Sequence, residues 1–590
     1  MIRTTIARRP RVVRLLRDAR LFAPLRIVHG GVKRDELRRW RELMRFRRDE
    51  GRILRGVSGD RSGERVLFVA ASTPGLYRVR VEGMLAKAVQ LRGARPVFVL
   101  DRHDVWHEEH LRAFGLRDFV FFDDHAPPRE ASEVRAEELL ARCATIRGVL
   151  GLEENGYAVG FHSASRALNR LRRGTLRLEE PEVHGELHWA LTNSIVAARA
   201  AESIFAAVRP RAQVATAQNL TPWAEFYEGG LRREVDTLYW MPAHVEDSLL
   251  LRRYTHENRH EHFFTLAPET WDRVRRLPWT AEDGEALLAS FSRSYLEGNW
   301  FHRKKLRDKR VKSAEEIVSE LGLDPAKKTA FVFSHVLYDA TFWFGENLFD
   351  DYIVWLVETA KAAAANPNVN WVIKLHPENV RRWQETTGRY ALENLEEYRL
   401  LTELFPDGLP DHIRLMTPED DTSTLSLFEF ADYALTVRGT IGLEFPCYGV
   451  PTLTAGSGGY SGRGFTLDSA TAEEYLARLA RIEEIPRLSA EQVALAQRFS
   501  HGIFHMKPVP FTSFEAHLLP DERWDRGWNV HSFELGVHSP DELRSAADLR
   551  EFAEWALDSR EPDLLAPAAR SRLAEVGVGQ LAATAGAGRR

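Results

Sequence analysis

The sequence lacks several features that would point directly to a class of function. Only two cysteines, Cys143 and Cys447, occur in 590 residues, which argues against a disulfide framework or a cysteine-based metal site and fits a reducing cytoplasm. No run of about 18 apolar residues occurs, so no membrane-spanning helix is expected. The formal net charge is only −4, so the chain as a whole is not expected to bind nucleic acid by electrostatic attraction.

Two short motifs are also missing. The loop after the first predicted strand, residues 71–83, is not GxGxxG, so the fingerprint of a dinucleotide-binding domain is absent. No Asp-x-Asp pair follows a predicted strand. Two adjacent pairs, Asp123-Asp124 and Asp420-Asp421, are expected to be solvated loop or cap residues.

Positive charge is concentrated in residues 1–57, which hold 18 Lys and Arg against 6 Asp and Glu. A basic amphipathic helix can lie on an anionic membrane surface, and it can equally be a solvated helix that packs on the main body. The segment lacks the apolar core of a secretion signal. Its apolar residues at helical spacing are Val12, Leu15, Leu16, Ala19 and Phe22.

Two series of strand, loop and helix follow, and each is typical of parallel βαβ units. The first predicts strands at RVLFVAAS, RPVFVL, DFVFF, QVATA and TLYWM, and the second at TAFVFS, WVIKL, IRLM, YALTV and PTLTA. We therefore predict an α/β protein with two doubly wound, Rossmann-like domains that face each other across a cleft. The expected segments are a basic helical segment at 1–57, domains at 58–300 and 301–515, a helical segment at 516–565 and a disordered tail at 566–590.

The loop after strand WVIKL is the first candidate for a ligand contact, because ligands of such sheets bind beyond the carboxyl ends of the strands. His376 and Pro377 stand just past this strand, Lys374 alternates to the same face, and a helix is predicted to begin near Asn379. Backbone amides at a helix start face anions, and a histidine there can donate to a phosphate oxygen. The alternative is a histidine that only caps the helix or packs.

The loop RGTIGLE, residues 438–444, follows strand YALTV. Gly439 and Gly442 permit close approach of a ligand to the backbone, and Thr440 offers a hydroxyl at a helix start, with Glu444 about one turn further. This pattern suits a phosphate or a ribose, although an ordinary glycine-rich turn with a threonine cap would look the same. The next strand also ends in a glycine-rich loop, AGSGGYSGRGFT, which is either flexible or shaped around a ligand.

The first strand of each domain ends in a further candidate loop. In the second domain, His335 and Asp339 lie four apart among aromatic residues and could touch a donor or acceptor, or form a core histidine with a paired carboxylate. In the first domain, Gly75 gives the loop backbone conformational freedom. Arg78 and Arg80 could pair with a phosphate or a sugar carboxylate. The alternative for both arginines is a surface position at the head of a helix.

Five stretches together resemble the bacterial capsular polysaccharide biosynthesis proteins, a glycosyltransferase-like group of GT-B fold. They are ETWDRVRRLPWT, FSHVLYDA, the long segment FDDYIVWLVETAKAAAANPNVNWVIKLHPE, ADYALTVRGTIGLEFPCYGVPTLTAGSGGYSGRGFT and FSHGIFHMKPVPF, and the resemblance covers about residues 265 to 515. It implies transfer of a sugar from a CMP- or other nucleotide-activated donor to a growing capsule or surface polysaccharide or glycolipid. It implies no cofactor and no catalytic metal. The cysteine content predicts a cytoplasmic protein, and the membrane interpretation of residues 1–57 would place it peripherally on the inner face of the cell membrane.

The resemblance also assigns roles to residues. It places His376 and Pro377 at the donor phosphate and the loop at Gly439 and Thr440 in the nucleotide site, with the first domain on the acceptor side. The expected donor-binding residues are Lys374, His376, Pro377, Glu378, Arg438, Gly439, Thr440, Gly442, Glu444, Tyr460 and Ser461. Phosphate or acceptor contacts are expected from Gly75, Arg78, Arg80 and Asp339. Catalytic roles are expected for His376, Glu82 and His335, and the acceptor's base is left open among Glu82, Asp101 and His162.

Two rival functions fit the same architecture. A nucleotide-sugar 2-epimerase would use a similar nucleotide loop and release an isomerised product without any acceptor. A non-catalytic scaffold of GT-B-like shape would bind donor without turnover. The sugar, the linkage, the acceptor and the stereochemical outcome do not follow from the sequence.

Overall fold

The computed structural model of the protein describes residues 34–57, 62–70, 76–297, 309–339, 341–379, 391–516 and 532–575. The amphipathic segment predicted between Val12 and Phe22 lies outside the described residues, as does Gly75. No helix within the described ranges is both long enough and apolar enough to cross a membrane.

Strands and helices alternate along most of the chain. The strands are β1 Arg65–Val69, β2 Arg95–Leu100, β3 Phe119–Phe121, β4 Ala212–Ala215, β5 Asp236–Pro242, β6 Ser248–Tyr254, β7 Thr329–Phe333, β8 Asn370–Lys374, β9 Ile413–Met416, β10 Tyr433–Thr436, β11 Thr452–Thr454, β12 Leu467–Asp468, β13 Val509–Pro510, β14 Phe514–Glu515, β15 Glu534–Leu535 and β16 Asp563–Leu564.

The α-helices are α1 Arg34–Asp49, α2 Gly51–Arg55, α3 Leu76–Leu91, α4 Val105–Ala113, α5 Arg129–Leu140, α6 Ile146–Leu150, α7 Val159–Leu171, α8 Pro181–Val208, α9 Trp223–Arg232, α10 Pro268–Val274, α11 Ala281–Glu297, α12 Ala314–Leu321, α13 Tyr352–Ala365, α14 Glu396–Leu404, α15 Thr424–Phe430, α16 Ile441–Glu444, α17 Ala472–Leu479, α18 Ala490–His501, α19 Pro540–Ser545 and α20 Ala547–Asp558. A further helical stretch, α21, covers residues 567–575.

The first sheet runs in the order β3, β2, β1, β4, β5 and β6. Strands β1 to β5 are parallel, as their continuous apolar runs predict for strands buried on both faces. Strand β6 is antiparallel to β5, and the sequence prediction lacks it because SLLLRRY carries two arginines. Both are buried in ion pairs, Arg252 with Glu261 and Arg253 with Asp236, which offset the cost of desolvating their charge.

The second sheet is parallel and runs in the order β12, β11, β10, β7, β8 and β9. Helix α13 connects β7 to β8, and its first turn is capped by Asp351, whose side chain accepts from the backbone N–H of Val354 at 2.8 Å. The predicted fold class is confirmed: the protein is α/β with two Rossmann-like sheets. We call the elements around the first sheet the first lobe and those around the second sheet the second lobe.

The end of the chain returns to the first lobe. Strands β13 and β16 both pair with β6, and α20 packs into the core beside α3. The segment predicted as helical at 516–565 thus contributes a strand to the first sheet as well as two helices. The first residues of the segment predicted as a disordered tail, 566–590, are ordered, because residues 567–575 form α21 and Ala566 and Ala569 are buried against the second lobe.

Helices α1 and α2, the described part of the basic N-terminal segment, pack on the first lobe. Leu43, Phe46 and Leu54 are buried there. The lobes themselves touch beside the connection from α7 to α8, where the backbone N–H of Gly174 donates to the Glu396 carboxylate of α14 at 2.6 Å.

Candidate functional site

A cleft of about 650 Å³ opens between the two lobes at the carboxyl ends of their parallel strands, which is where α/β sheets bind ligands. The first lobe contributes side chains from β5, from the segments that follow β4 and β6, and from the start of α3. The second lobe contributes the loops after β7, β8 and β10. The first-lobe lining includes Arg78, Thr216, Asn219, Trp223, Tyr239, His262 and Phe263. The second-lobe lining includes Lys309, Ser334, His335, Asp339, Lys374, His376, Pro377, Thr436, Arg438, Gly439, Thr440 and Glu444.

His376 lies just beyond the end of β8, and its ring is oriented by the main chain around it. Its backbone N–H donates to Ser334 Oγ at 2.8 Å, and its Nδ1 accepts from the backbone N–H of Glu378 at 3.2 Å. In the neutral ring the proton is therefore on Nε2. One nitrogen thus caps the following turn, as the alternative interpretation predicts, while the residue also lines the cleft.

The loop after β10 is held by side chains from behind. His335 Nε2 accepts from the backbone N–H of Val437 at 3.0 Å, and Thr436 Oγ1 accepts from that of Gly439 at 3.1 Å. Buried Tyr460 donates its hydroxyl to the Gly439 carbonyl at 2.9 Å. The backbone at this edge of the cleft is therefore fixed before a ligand binds.

This arrangement corrects the catalytic role predicted for His335. Its ring stacks on Tyr352 with centroids 4.4 Å apart, and burial together with the nearby Arg438 charge lowers its pKa to about 3. Because Nε2 already accepts from the Val437 N–H, this nitrogen cannot also take a proton from a substrate at neutral pH. His335 holds the loop in place and is not placed to act as a general base.

Gly442 is needed for the packing of Tyr460 against this loop. A Cβ at position 442 would lie 2.1 Å from Tyr460 Cζ. We expect Gly442→Ala to lower the free energy of unfolding by about 1–3 kcal/mol, because the buried ring must shift. Chemical denaturation measures this. Gly185→Ala is the matched control, because a Cβ on this exposed glycine of α8 meets nothing within 4 Å, and we expect it to leave stability unchanged or to raise it. Equal stability of the two variants would contradict the packing role.

Arg438 is the cation best placed to meet an anionic ligand. Its Nη2 donates to the Glu346 carbonyl at 3.2 Å and to Asn347 Oδ1. Its Nε and Nη1 are buried and have no hydrogen-bond partner in the described part of the chain. Buried N–H groups without a hydrogen-bond partner destabilise a fold unless a ligand accepts from them. A guanidinium can bind a phosphate through two parallel hydrogen bonds.

Three further cations line the same cleft. Lys374 is half-buried and has no hydrogen-bond partner among the residues that the structure describes, and burial next to Lys309 lowers its pKa to about 8. Lys309 Nζ donates to the Pro418 carbonyl at 3.2 Å. Arg78, across the cleft in the first lobe, reaches Thr216 Oγ1 at 3.4 Å. The cleft therefore carries positive charge from both lobes.

Two carboxylates line the cleft within the described ranges, and they differ in environment. Glu444 is fully buried and accepts from the Tyr295 hydroxyl at 2.9 Å. Asp339, on the loop after β7, is exposed. Asp339 is thus the carboxylate that an incoming substrate can reach.

Two residues predicted for the first-lobe side do not face the cleft. Glu82 is fully buried on α3, and burial raises its pKa to about 8 despite the attraction of Arg78. Arg80 points to the opposite side of α3, where it pairs with Glu42 at 2.9 Å and lies over the Phe46 ring. The catalytic role predicted for Glu82 and the ligand contact predicted for Arg80 are therefore at odds with the structure.

His162 and Asp101, which the sequence also offers as the acceptor's base, lie outside the cleft lining. His162 is fully buried, and its Nε2 lies 3.0 Å from Glu228. Burial is the largest influence and disfavours its charged form, but the hydrogen bond that the ring donates to Glu228 and the charges of Glu225 and Glu228 together raise its pKa. Neither residue is therefore placed to take a proton from an acceptor in the cleft.

Four residues predicted to bind the donor support the cleft without lining it. They are Glu378, Gly442, Tyr460 and Ser461. Glu378 contributes its backbone N–H to His376, and Ser461 Oγ accepts from the backbone N–H of Gly458 at 2.8 Å, which closes a turn.

Sequence reasoning missed most of the first-lobe lining, including Trp223, Tyr239 and Phe263, and two ionisable lining residues, Lys309 and His262. Lys309 belongs to the charged stretch HRKKLRDKRVK, which is typical of an exposed connection. His262 lies after β6, the strand that the sequence does not predict, and its Nδ1 accepts from the backbone N–H of Phe264 at 3.0 Å. Burial and the Arg438 charge lower the pKa of His262 to about 3, so the ring is neutral.

No protein-family model matches the chain, and no curated protein matches it. Among solved structures, the chain is similar to the KpsC β-Kdo 2,4-transferase of Thermosulfurimonas dismutans, with 14% identity over 51% of this chain and 82% of that one and a TM-score of 0.29. It is also similar to a UDP-GlcNAc 2-epimerase of Neisseria meningitidis bound to UDP-GlcNAc, with 10% identity over 74% and 96% and a TM-score of 0.24. HepE of Anabaena, in complex with UDP-glucose, matches with 12% identity over 75% and 94% and a TM-score of 0.26.

Proposed function

We propose that the protein is a glycosyltransferase that moves a sugar from a nucleotide-activated donor, CMP-linked or otherwise, to a growing capsule or surface polysaccharide. The observation that carries this proposal is the convergence of Arg438, Lys374 and His376 on one end of an interlobe cleft. Each presents hydrogen-bond donors where the strands of the second sheet end. This is the chemistry that a nucleotide phosphate requires.

The same groups would serve the reaction itself. When the glycosidic bond to the donor breaks, negative charge grows on the departing phosphate, and fixed donors lower the barrier only if they meet that charge. Lys309, Lys374 and Arg438 supply positive charge and His376 Nε2 supplies a hydrogen bond. Because side chains provide this stabilisation, we propose that turnover needs no metal and persists in a chelator.

The first-lobe wall supports an acceptor site. Trp223, Tyr239 and Phe263 line that side of the cleft and offer flat apolar faces on which sugar rings can lie. Asp339 reaches the cleft from the second lobe and would take the proton of the attacking hydroxyl. The identity of the acceptor rests on the resemblance noted in the sequence.

The test has two steps. A thermal-shift screen of CMP, CDP, UDP and GDP identifies the nucleotide, because a ligand that binds the native state raises the melting temperature. The matching nucleotide sugar is then incubated with and without acceptor glycan, and UDP-GlcNAc is incubated alone. Nucleotide release that depends on acceptor is expected. Isomerised sugar without acceptor would establish the 2-epimerase instead, and binding without turnover would establish a scaffold.

Arg438→Met is expected to weaken binding of the selected nucleotide about 10- to 100-fold, because a charge-assisted hydrogen bond contributes about 1.5–3 kcal/mol. Isothermal titration measures the Kd. Arg399→Met, an exposed arginine of α14, is the matched control and should bind like the wild type. An unchanged Kd in Arg438→Met would remove this residue from the phosphate site.

Nucleotide affinity is expected to fall as pH rises above about 8. The pKa of Lys374 is lowered to about 8, so its charge is present below that pH and is lost above it. Loss of one charge contact corresponds to about a tenfold change in Kd. Titrations between neutral and mildly alkaline pH measure this, and Lys374→Met should show a flat profile over the same range. A steep profile that survives in Lys374→Met would assign the titration to another group.

A further inference from the structure

Helices α1 and α2 carry a continuous line of exposed arginines on the outer surface of the first lobe. Successive members are three or four residues apart, so they share one helical face. At 1.5 Å per residue, the line extends over about 25 Å. In residues 37–57, the exposed positions that are not arginine are Asp49 and Gly56. We name this surface the arginine stripe, and its members are Arg38, Arg41, Arg45, Arg48, Arg52 and Arg55.

The opposite face of these helices fixes the direction of the stripe. Leu43, Phe46 and Leu54 are buried, and the Phe46 ring packs 5.4 Å from that of Phe114. On this inner side the positive charge of Arg47 is neutralised, because Arg47 pairs with Glu109 of α4. The helices therefore cannot turn the stripe inward without losing a packed core.

The stripe itself has little compensation. Arg48 pairs with Asp49, and both are exposed, so the pair contributes little. Arg41, Arg45 and Arg52 have no carboxylate within 4 Å in the part of the chain that the structure describes. The charges of Asp49 and Glu50 act on Arg45, but positive charge remains in excess along the stripe, and aligned like charges create a field that attracts an anionic surface.

We propose that the arginine stripe docks the protein on an anionic lipid membrane. Clusters of four to eight Lys and Arg on a helix are typical of contacts with anionic lipid. The exposed side chains of residues 37–57 include no aromatic ring on which a sugar or a base could stack. This proposal does not depend on the function of the cleft.

The distribution of charge along the chain favours a membrane over a long polyanion. Residues 1–33, directly before the described helices, hold nine Lys and Arg against one acidic residue, together with many Val, Leu and Ile residues that lipid can accept. Residues 58–590 hold 63 Lys and Arg against 79 Asp and Glu. A nucleic acid long enough to wrap around the body would be repelled by that excess of acid, whereas a flat membrane touches only the basic side.

The experiment is co-sedimentation of the full chain with vesicles. One set is phosphatidylcholine alone, and the other contains about one third phosphatidylglycerol. The stripe variant combines Arg41→Glu, Arg45→Glu and Arg52→Glu. Its matched control combines Arg142→Glu, Arg293→Glu and Arg481→Glu, which changes the net charge equally at exposed arginines on other elements. The melting temperature of each variant shows whether it is folded. If the triple Glu variant is unstable, the same three arginines are changed to Gln, and that variant is used for the vesicle measurement instead.

The wild type is expected to bind anionic vesicles at least about tenfold more strongly than neutral ones, with binding lost in high salt. The stripe variant should lose at least about tenfold of that affinity, and the control should stay near the wild type. Equal binding to both vesicle types, or equal loss in both variants, would overturn the proposal. It would also be overturned if duplex DNA displaced the protein from vesicles at equal charge concentration, because the stripe would then be a nucleic-acid surface.

Discussion

His376→Ala is expected to lower kcat by about 100- to 1,000-fold, the effect of removing one fixed donor from a developing negative charge. The structure specifies which atom matters, because Nδ1 accepts from the Glu378 N–H and Nε2 therefore carries the proton. His376→Gln, which keeps an N–H donor on its side chain, should retain more activity than the alanine variant. Initial-rate measurements with the selected donor give both values.

Two controls separate this effect from loss of structure. His412→Ala removes another half-buried histidine of the second lobe, whose Nε2 lies 3.0 Å from the Ala363 carbonyl, outside the cleft lining. It should keep wild-type turnover. The melting temperature of His376→Ala should lie near that of the wild type. Full activity in a folded His376→Ala would end the assignment of this imidazole to the donor phosphate.

Asp339→Asn is expected to lower kcat by about 100- to 10,000-fold, the contribution of a general base, while leaving the Kd of the free nucleotide unchanged. The reason is position: Asp339 is the exposed carboxylate of the cleft, whereas Glu444 is buried against Tyr295. The split between turnover and nucleotide binding distinguishes a base from a residue that binds the donor.

Asp350→Asn is the control for this change. Asp350 is an exposed aspartate that precedes the capping residue of α13, and it pairs with Arg147 away from the cleft lining. We expect it to turn over substrate like the wild type. If Asp339→Asn keeps its kcat, or if it loses nucleotide affinity by the same factor, the base must be sought on the first-lobe wall.

The parallel strands could be predicted because each is a short, continuous apolar run, and such runs have few other stable arrangements. Strand β6 could not be predicted in this way. Its two arginines can be buried only because each pairs with a carboxylate outside the strand, and that pairing is not visible in the strand's own sequence. Strands β13 and β16 are two residues long each and carry no periodicity. Long-range pairing of this kind is decided by tertiary contacts alone.

The second-lobe side of the cleft could be predicted because it follows directly from where strands end. The first-lobe side could not, since helix α3 presents Arg78 to the cleft and Arg80 to the opposite side. A helical wheel shows that the two arginines diverge, but it does not show which of them faces the partner lobe. Lys309 was missed for a similar reason, because a charged run has no intrinsic orientation.

The return of the chain to β6 also determines how the protein can be divided. Leu249 and Leu251 of β6 are paired with Val509 and Leu564 respectively, which come from the far end of the sequence. A recombinant fragment ending near residue 300 would therefore bare an apolar strand edge, and such edges drive sheet-to-sheet aggregation. The first lobe is consequently a unit in space and not a unit of sequence that can be expressed alone.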